Sequence, residues 1–372
     1  MTYLDCGAAV FSVEDSYNII FTTTVAGVGW VEIDGKRYDD LKCGLIMCED
    51  TVHKIVVPKK ELDSACKYTI YFKRLLEHKS YFPTTDKAEK KEYNFYPVKK
   101  GKAVNIYSAG DVHENYSESI KACGYFGDNL DLLLLNGDIS EHTAPYKLGA
   151  AVMMANKITG GEKPTVFARG NHDTRGALAY KLNRYVGTKN DKFYFTFTAG
   201  DVFGIVLDFG EDKADTSKEY GGLVRYQPYR CEQIGFLEDI IEKGEYLKYN
   251  CVAVICHVPL NSESLMCYSE LLAQIGNLIN KINPDIMLSA HEHFTQFIPA
   301  GELAYDGFVN NFPIHIGSVL EAVWEGKICR LIDIAGIAVT VESDKITLHT
   351  SGQDYADRDT YEVKIKADRR TL

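Results

Sequence analysis

The sequence predicts two regions of different class: an antiparallel β-sandwich over residues 1–100 and an α/β region with buried sheets over residues 101–372. Three observations carry this. The first hundred residues hold short runs rich in β-branched and aromatic residues, with no helical period. From about residue 103, near-continuous apolar runs alternate with amphipathic stretches. The tail then returns to strand-like alternation.

In the first region the strands are "YNIIFTTT", "VGWVEI", "HKIVVP", "KYTIYFKR" and "EYNFYP". Asp34-Gly35 comes directly after "VGWVEI" and marks a hairpin, because both turn positions tolerate positive φ. In "KYTIYFKR" the period of two puts Tyr68, Ile70 and Phe72 on one face. The charged stretch "TTDKAEKKE" reads as a surface loop, and the region ends near "VKKGK". The strand spacing points to a sandwich of immunoglobulin or fibronectin type.

In the second region the apolar runs are "AVNIYS", "LDLLLL", "PTVFA", "VFGIVLD", "CVAVIC" and "PDIMLS". Helices are expected within "ENYSESIKACGYF", "APYKLGAAVMMANKI" and "PYRCEQIGFLEDIIEK". The tail, with turns expected at Ala335-Gly336 and Ser343-Asp344, is expected to complete a second sheet.

Composition excludes several classes. With 52 acidic against 41 basic residues the formal net charge is −11, so nucleic acid or an anionic membrane would be approached against repulsion. The ten cysteines are scattered without a C-x-x-C pair, several inside apolar runs, which reads as reduced, buried thiols. No basic start with an apolar core opens the chain and no run approaches membrane-spanning length, so a cytoplasmic location is expected.

Function lies at the polar end of each apolar run. "AVNIYS" leads to Asp111 and His113, "LDLLLL" to Asp138, and "PTVFA" to Asn171, His172 and Asp173. "CVAVIC" leads to His257, and "PDIMLS" to His291 and His293. Each alone has an ordinary reading: a Gly-Asp step caps a helix, and a lone histidine is hydrogen-bonded. Together they collect carboxylates and imidazoles at five strand ends, where open α/β sheets bind ligands. Their nitrogen and oxygen donors suit two divalent ions of borderline hardness: Mn, Fe, Zn or Ni.

The ordered set "GDVH", "GDIS", "GNHD", "CH" and "AHEH" resembles the calcineurin-like metallophosphoesterases over roughly residues 103–317. The resemblance implies two mixed sheets flanked by helices, an α-β-β-α sandwich, and metal-dependent hydrolysis of a small phosphorylated substrate. It implies that Asp111, His113 and His293 bind the first metal and that Asp138 bridges both. Asn171, His257 and His291 would complete the second site. His172 would act as catalytic acid or phosphate-stabilising imidazole, oriented by Asp173. Arg175, in "GNHDTRG", either reaches a phosphate or caps a nearby carboxylate.

The sandwich in front is similar to the N-terminal domain of purple acid phosphatases. In those enzymes the first motif ends in glycine and the second contributes a tyrosine ligand; here the positions are His113 and Glu141, which implies a colourless enzyme. Ala290 stands where the family usually has glycine. His142, His315, Tyr220 and Tyr226 are weaker candidates, and Glu292 should point away from the two histidines that flank it. The opposing class is a phosphoesterase-like binding or scaffold module, which would be expected to lack His172 or several ligands. The motifs set neither the choice of metal nor the oligomeric state.

Overall fold

Elements alternate along the chain much as the apolar runs do. The computed structural model describes residues 1–305, 307–318, 320–324, 327–367 and 369, with 320–324 and 327–333 described by backbone alone. The N-terminal segment supplies β1 (Leu4–Val13), β2 (Ser16–Thr23), β3 (Gly27–Ile33), β4 (Lys36–Asp39), β5 (Val52–Pro58), α1 (Lys59–Ala65), β6 (Lys67–Glu77) and β7 (Glu89–Asn94). Next come β8 (Val104–Ala109), α2 (Tyr116–Ala122), β9 (Leu132–Asn136), α3 (Ala150–Thr159), β10 (Pro164–Ala168), β11 (Phe195–Ala199) and β12 (Val202–Val206). They are followed by α4 (Tyr226–Lys243), β13 (Cys251–Ile255), α5 (Ser269–Ile282), β14 (Ile286–Ser289), β15 (Gln296–Ile298) and β16 (Ile314–Ile316). The hairpin β17 (Leu320–Trp324) and β18 (Lys327–Asp333) precedes β19 (Ala335–Val341), β20 (Lys345–Gly352) and β21 (Asp357–Lys364).

Two large sheets face each other. One is nine-stranded, in the order β21-β20-β19-β8-β9-β10-β1-β2-β5; the other is six-stranded, β11-β12-β13-β14-β16-β15. Both are mixed, with parallel centres such as β8-β9-β10 and β12-β13-β14. Val104, Leu132, Leu134, Val166, Phe195, Phe197, Ile255 and Leu288 fill the space between them. Met154 and Ala155 of α3 pack on the outer face of the first sheet, and Leu237, Leu272 and Ile279 of α4 and α5 on that of the second. Strands covered on both faces favour apolar residues at most positions, which is why these runs show no alternation.

The N-terminal strands do not form a separate body. β1 pairs in parallel with β10, Val10 opposite Pro164 and Phe11 opposite Thr165, so β1, β2 and β5 continue the nine-stranded sheet. Their free face packs against a small sheet, β7-β6-β3-β4, through Val10, Ile19, Phe21, Val31, Ile70 and Phe72. Residue 100 therefore marks a change of sequence pattern that the main sheet runs through. The Asp34-Gly35 hairpin forms as expected, with φ of +47° and +79°, and Tyr68, Ile70 and Phe72 share a buried face.

Four local expectations are corrected. Part of the charged stretch expected as a loop is β7, an edge strand that buries Tyr93 and exposes Lys90, Lys91 and Glu92; such charges block pairing with another chain. Ala335-Gly336 is the start of β19, not a turn. The tail extends the first sheet, because Ile337–Val341 pair with Val104–Ser108. The thiols are also less buried than expected: Cys123, Cys251 and Cys256 are buried, whereas Cys43, Cys66, Cys231 and Cys267 are exposed. Cys329 lies outside the residues whose side chains are described. Among the described residues, no helix is long and apolar enough to cross a membrane.

Candidate metal centre

The parallel order of β8, β9 and β10, and of β13 and β14, brings five loops to one rim. Asp111, His113, Asp138, His291 and His293 all adopt positive φ, between +44° and +76°. None is glycine, so each backbone is held against a steric penalty, on the order of 1 kcal/mol or more. The left-handed turn reverses the chain as it leaves the strand, aiming successive side chains into one space. Hydrogen bonds hold the loops there: His113 N donates to Asp138 O (3.0 Å), His172 N to Asp138 Oδ1 (2.8 Å) and His291 N to Asp111 Oδ2 (2.7 Å).

Close approach also needs glycine. A Cβ at Gly170 would stand 2.1 Å from Asp138 Oδ1, and one at Gly110 would stand 2.5 Å from the Ala290 methyl. The alanine that replaces the usual glycine at 290 is thus accommodated by Gly110 opposite, and Ala290 is fully buried.

The donors fall into overlapping groups with ligand atoms within 4.8 Å of one another: Asp111, His113 and His293; His113, Asp138 and His172; Asp138, His257 and His291. Asp111 Oδ1 lies 3.5 Å from His293 Nε2, 3.7 Å from His257 Nε2 and 3.8 Å from His113 Nε2. It is buried and has no hydrogen-bond partner, while Oδ2 takes the His291 amide and the Ser318 hydroxyl. These separations are long for hydrogen bonds. They suit donors that share a cation, since two atoms each about 2.1 Å from one ion stand roughly 3–3.5 Å apart.

One end of the Asn171 amide lies 3.0 Å from His291 Nδ1 and 3.1 Å from Asp138 Oδ2 and the other 3.0 Å from Arg175 Nη2, contacts it satisfies by donating its Nδ2 to Asp138 and accepting from Arg175 on its oxygen. His257 Nδ1 donates to the Asn136 carbonyl at 2.6 Å, which turns Nε2 toward Asp138 Oδ2 at 3.2 Å. Burial alone would lower the His257 pKa, but the Asp138 and Asp111 carboxylates outweigh it and hold it up at about 10. Burial likewise opposes ionisation of Asp111, yet His257, His113 and His293 keep its carboxyl well below the usual range. The residues present fit a pair of divalent ions.

The profile of the calcineurin-like phosphoesterases matches residues 104–294, just over half of the chain. The chain belongs to this family. It is a metal-dependent phosphoester hydrolase, a class that works on phosphorylated substrates through a dinuclear metal centre. Its fold is similar to that of a purple acid phosphatase from yellow lupin seeds, with a TM-score of 0.66 and 14% identity, over 96% of this chain and 74% of that one. It is also similar to PhoD, with a TM-score of 0.55 and 11% identity, over 96% and 88% of the two chains. A search of curated proteins returns no significant sequence match.

Around the phosphoesterase centre, His172 is placed differently from its expected role. Asp173 does not orient it: the buried Asp173 Oδ2 accepts from Asp138 N and Gly170 N, both at 2.9 Å, and so clamps two ligand loops together. Burial and the neighbouring Asp138 raise the Asp173 pKa to about 7. Glu141 orients His172 instead. The ring Nδ1 is 3.1 Å from its carbonyl and 3.2 Å from its carboxylate, whose other oxygen is 3.0 Å from His113 Nδ1. Glu141 was legible only as the residue at the tyrosine position; its three-residue offset from Asp138 carried the signal.

Arg175 caps a nearby carboxylate, the second of the two readings offered by the sequence. Its Nε and Nη2 bond the buried Glu211 carboxylate at 2.9 and 3.0 Å, and Nη1 lies 2.9 Å from His172 Nε2. Glu211, Asp212 and Ser318 escaped sequence reading because no motif frames them; Asp212 Oδ2 stands 3.9 Å from His291 Nε2.

The remaining candidates are peripheral. His142 is exposed, and His315 is packed against Phe297 and Tyr361, where burial lowers its pKa to about 4. Buried Tyr220 bonds Asp212, Tyr226 flanks the Arg169 guanidinium, and Glu292 turns toward Ser262.

Proposed function

We propose that the chain hydrolyses small phosphate monoesters or diesters at this centre, using two divalent ions drawn from Mn, Fe, Zn and Ni. Asp111, His113 and His293 hold one ion, Asp138 bridges, and Asn171, His257 and His291 hold the other. The observation that carries this is the convergence of the buried, unpartnered Asp111 Oδ1 with ring nitrogens and the Asp138 carboxylate. When bound, such ions supply positive charge for the phosphate and an activated water.

The chain's own groups do the rest. Glu141 holds His172 by Nδ1, and Nε2 accepts from Arg175 Nη1 at 2.9 Å, which sets the imidazole beside that guanidinium as a phosphate-stabilising group. Arg175, fixed by Glu211, stands beside it to bind a phosphate oxygen. With Glu141 at the tyrosine position, the enzyme is read as colourless. Residues 1–100 are read as an accessory layer, a role supported by the sheet they share with β10.

The test is turnover of p-nitrophenyl phosphate beside bis-p-nitrophenyl phosphate, with protein stripped and reloaded with Mn²⁺. Metal-dependent release of p-nitrophenol is expected, and the ratio of rates assigns ester class. His172→Ala should lower turnover by about 10²–10⁴-fold with metal content unchanged. Near-normal rates in that variant would remove His172 from the chemistry.

A further inference from the structure

A second cluster of metal-binding side chains lies in the N-terminal layer. Cys48, Glu49 and His78 place one ligand atom each within 4.8 Å of one another. Cys48 and Glu49 lie just before β5, which belongs to the nine-stranded sheet; His78 lies just after β6, in the small facing sheet. The trio spans the mouth of the space between two layers.

Neither loop holds itself by burial. Leu41, Leu45 and Ile46 on one, and Tyr81 and Phe82 on the other, are exposed. Among the described residues, the hydrogen bonding between the loops is the contact of His78 Nδ1 with Glu49 Oε1. Asp50 lies outside the trio, and its Oδ1 accepts from the Thr51 and Val52 amides. Glu49 is the acid that faces His78, with the Cys48 thiol beside the pair.

We propose that Cys48, Glu49 and His78 form a peripheral Zn²⁺ site that ties the two loops, and so the two sheets, together. Thiolate, imidazole and carboxylate are the donors zinc takes in tetrahedral sites; hard Mg²⁺ and Ca²⁺ want oxygen alone. The exposure of Glu49 and His78 leaves the fourth position to water. On binding, the Cys48 S–H bond breaks, its proton passes to solvent and the thiolate sulfur coordinates the ion. This site is independent of the catalytic reading, whose donors are nitrogen and oxygen only.

That difference makes the test specific. The full-length protein, stripped of metal, is titrated with Co²⁺, and the thiolate-to-cobalt charge-transfer band is followed. Two equivalents are expected to fill the catalytic centre without the band and a third to develop it, and Zn²⁺ to abolish it; Cys48→Ser should remove it, and His78→Ala should weaken Co²⁺ binding at this site at least tenfold. Phosphoesterase turnover should be unchanged in both variants. Zn²⁺ should also slow proteolytic cleavage within residues 41–50 and 78–84 in the wild type but not in Cys48→Ser. No band in the wild type, a band that survives Cys48→Ser, or a titration that ignores His78→Ala would each overturn the proposal.

Discussion

His53 and His257 are equally buried, each about 1% exposed, yet the protein treats them in opposite ways. His53 lies within β5 between Phe21 and Phe72, its rings 4.9 and 5.4 Å away, with Thr23 Oγ1 at 3.2 Å. Burial pushes its pKa down to about 4, so it is a neutral, packed side chain. His257 sits at a strand end with two carboxylates within 3.7 Å, and its pKa is held up at about 10. Desolvation acts on both; the neighbouring charge decides. The same contrast runs through the backbone. In the N-terminal layer positive φ belongs to turn residues such as Glu14 and Asp34, whereas at the rim it belongs to the donors themselves. Strain and unpaired acceptors are placed where an ion can use them.

The strongest way to break this contrast is to remove the shared carboxylate. Asp138→Ala should lower turnover by at least about 10³-fold. Bound metal, read by elemental analysis, should fall from two ions per chain toward one or none, with far-UV circular dichroism unchanged. Retention of both ions would show that Asp138 does not bridge. Gly170→Ala comes next. Its methyl would lie 2.1 Å from Asp138 Oδ1 and 2.4 Å from Asp138 N, so the two loops must separate. The expected cost is about 1–3 kcal/mol in denaturant unfolding, with weakened metal binding. Unaltered stability would mean that the loops have slack.

Glu141→Gln sharpens the contrast without disturbing it. Gln keeps the backbone carbonyl that His172 Nδ1 faces but loses the charge shared by His172 and His113. A fall of about 10–100-fold in kcat with metal content preserved is expected, the usual effect of an outer-shell carboxylate. Asp173→Asn offers the control: Asp173 touches loop amides and not His172, so its loss should appear in stability and metal retention.

The fold's centre was legible because β8, β9, β10, β13 and β14 bury both faces, which favours apolar residues at most positions. The candidate donors were legible because each comes directly after such a run. Sheet membership was not. The pairing of Val10 with Pro164 joins residues 154 positions apart, and no local pattern in β1 distinguishes a private sheet from a shared one. Nor did spacing reveal that Asp173 faces Gly170 while Glu141 faces His172; that depends on how two loops turn after their strands. Glu211 was hidden for the same reason: it meets Arg175 from a loop with no motif of its own.

The smallest effect at neutral pH is expected from His53→Phe, and it tests the quiet half of the comparison. Because the folded-state pKa is near 4, below the ordinary 6.5, the folded protein takes up this proton less readily than the unfolded chain. His53 therefore costs nothing above pH 6.5, and stability falls as pH drops from there toward 4, by up to about 3 kcal/mol. Phenylalanine cannot be protonated and keeps the contacts with Phe21 and Phe72, at the loss of one bond to Thr23 worth about 1 kcal/mol. Urea unfolding followed by the fluorescence of Trp30, which is buried in the same layer, should show a shallower decline between pH 6.5 and 4 in the variant. His315, lowered to the same value, keeps part of the slope in both proteins. An identical decline would mean that His53 is protonated in place without loss, and that its neutrality is not what sets it apart from His257.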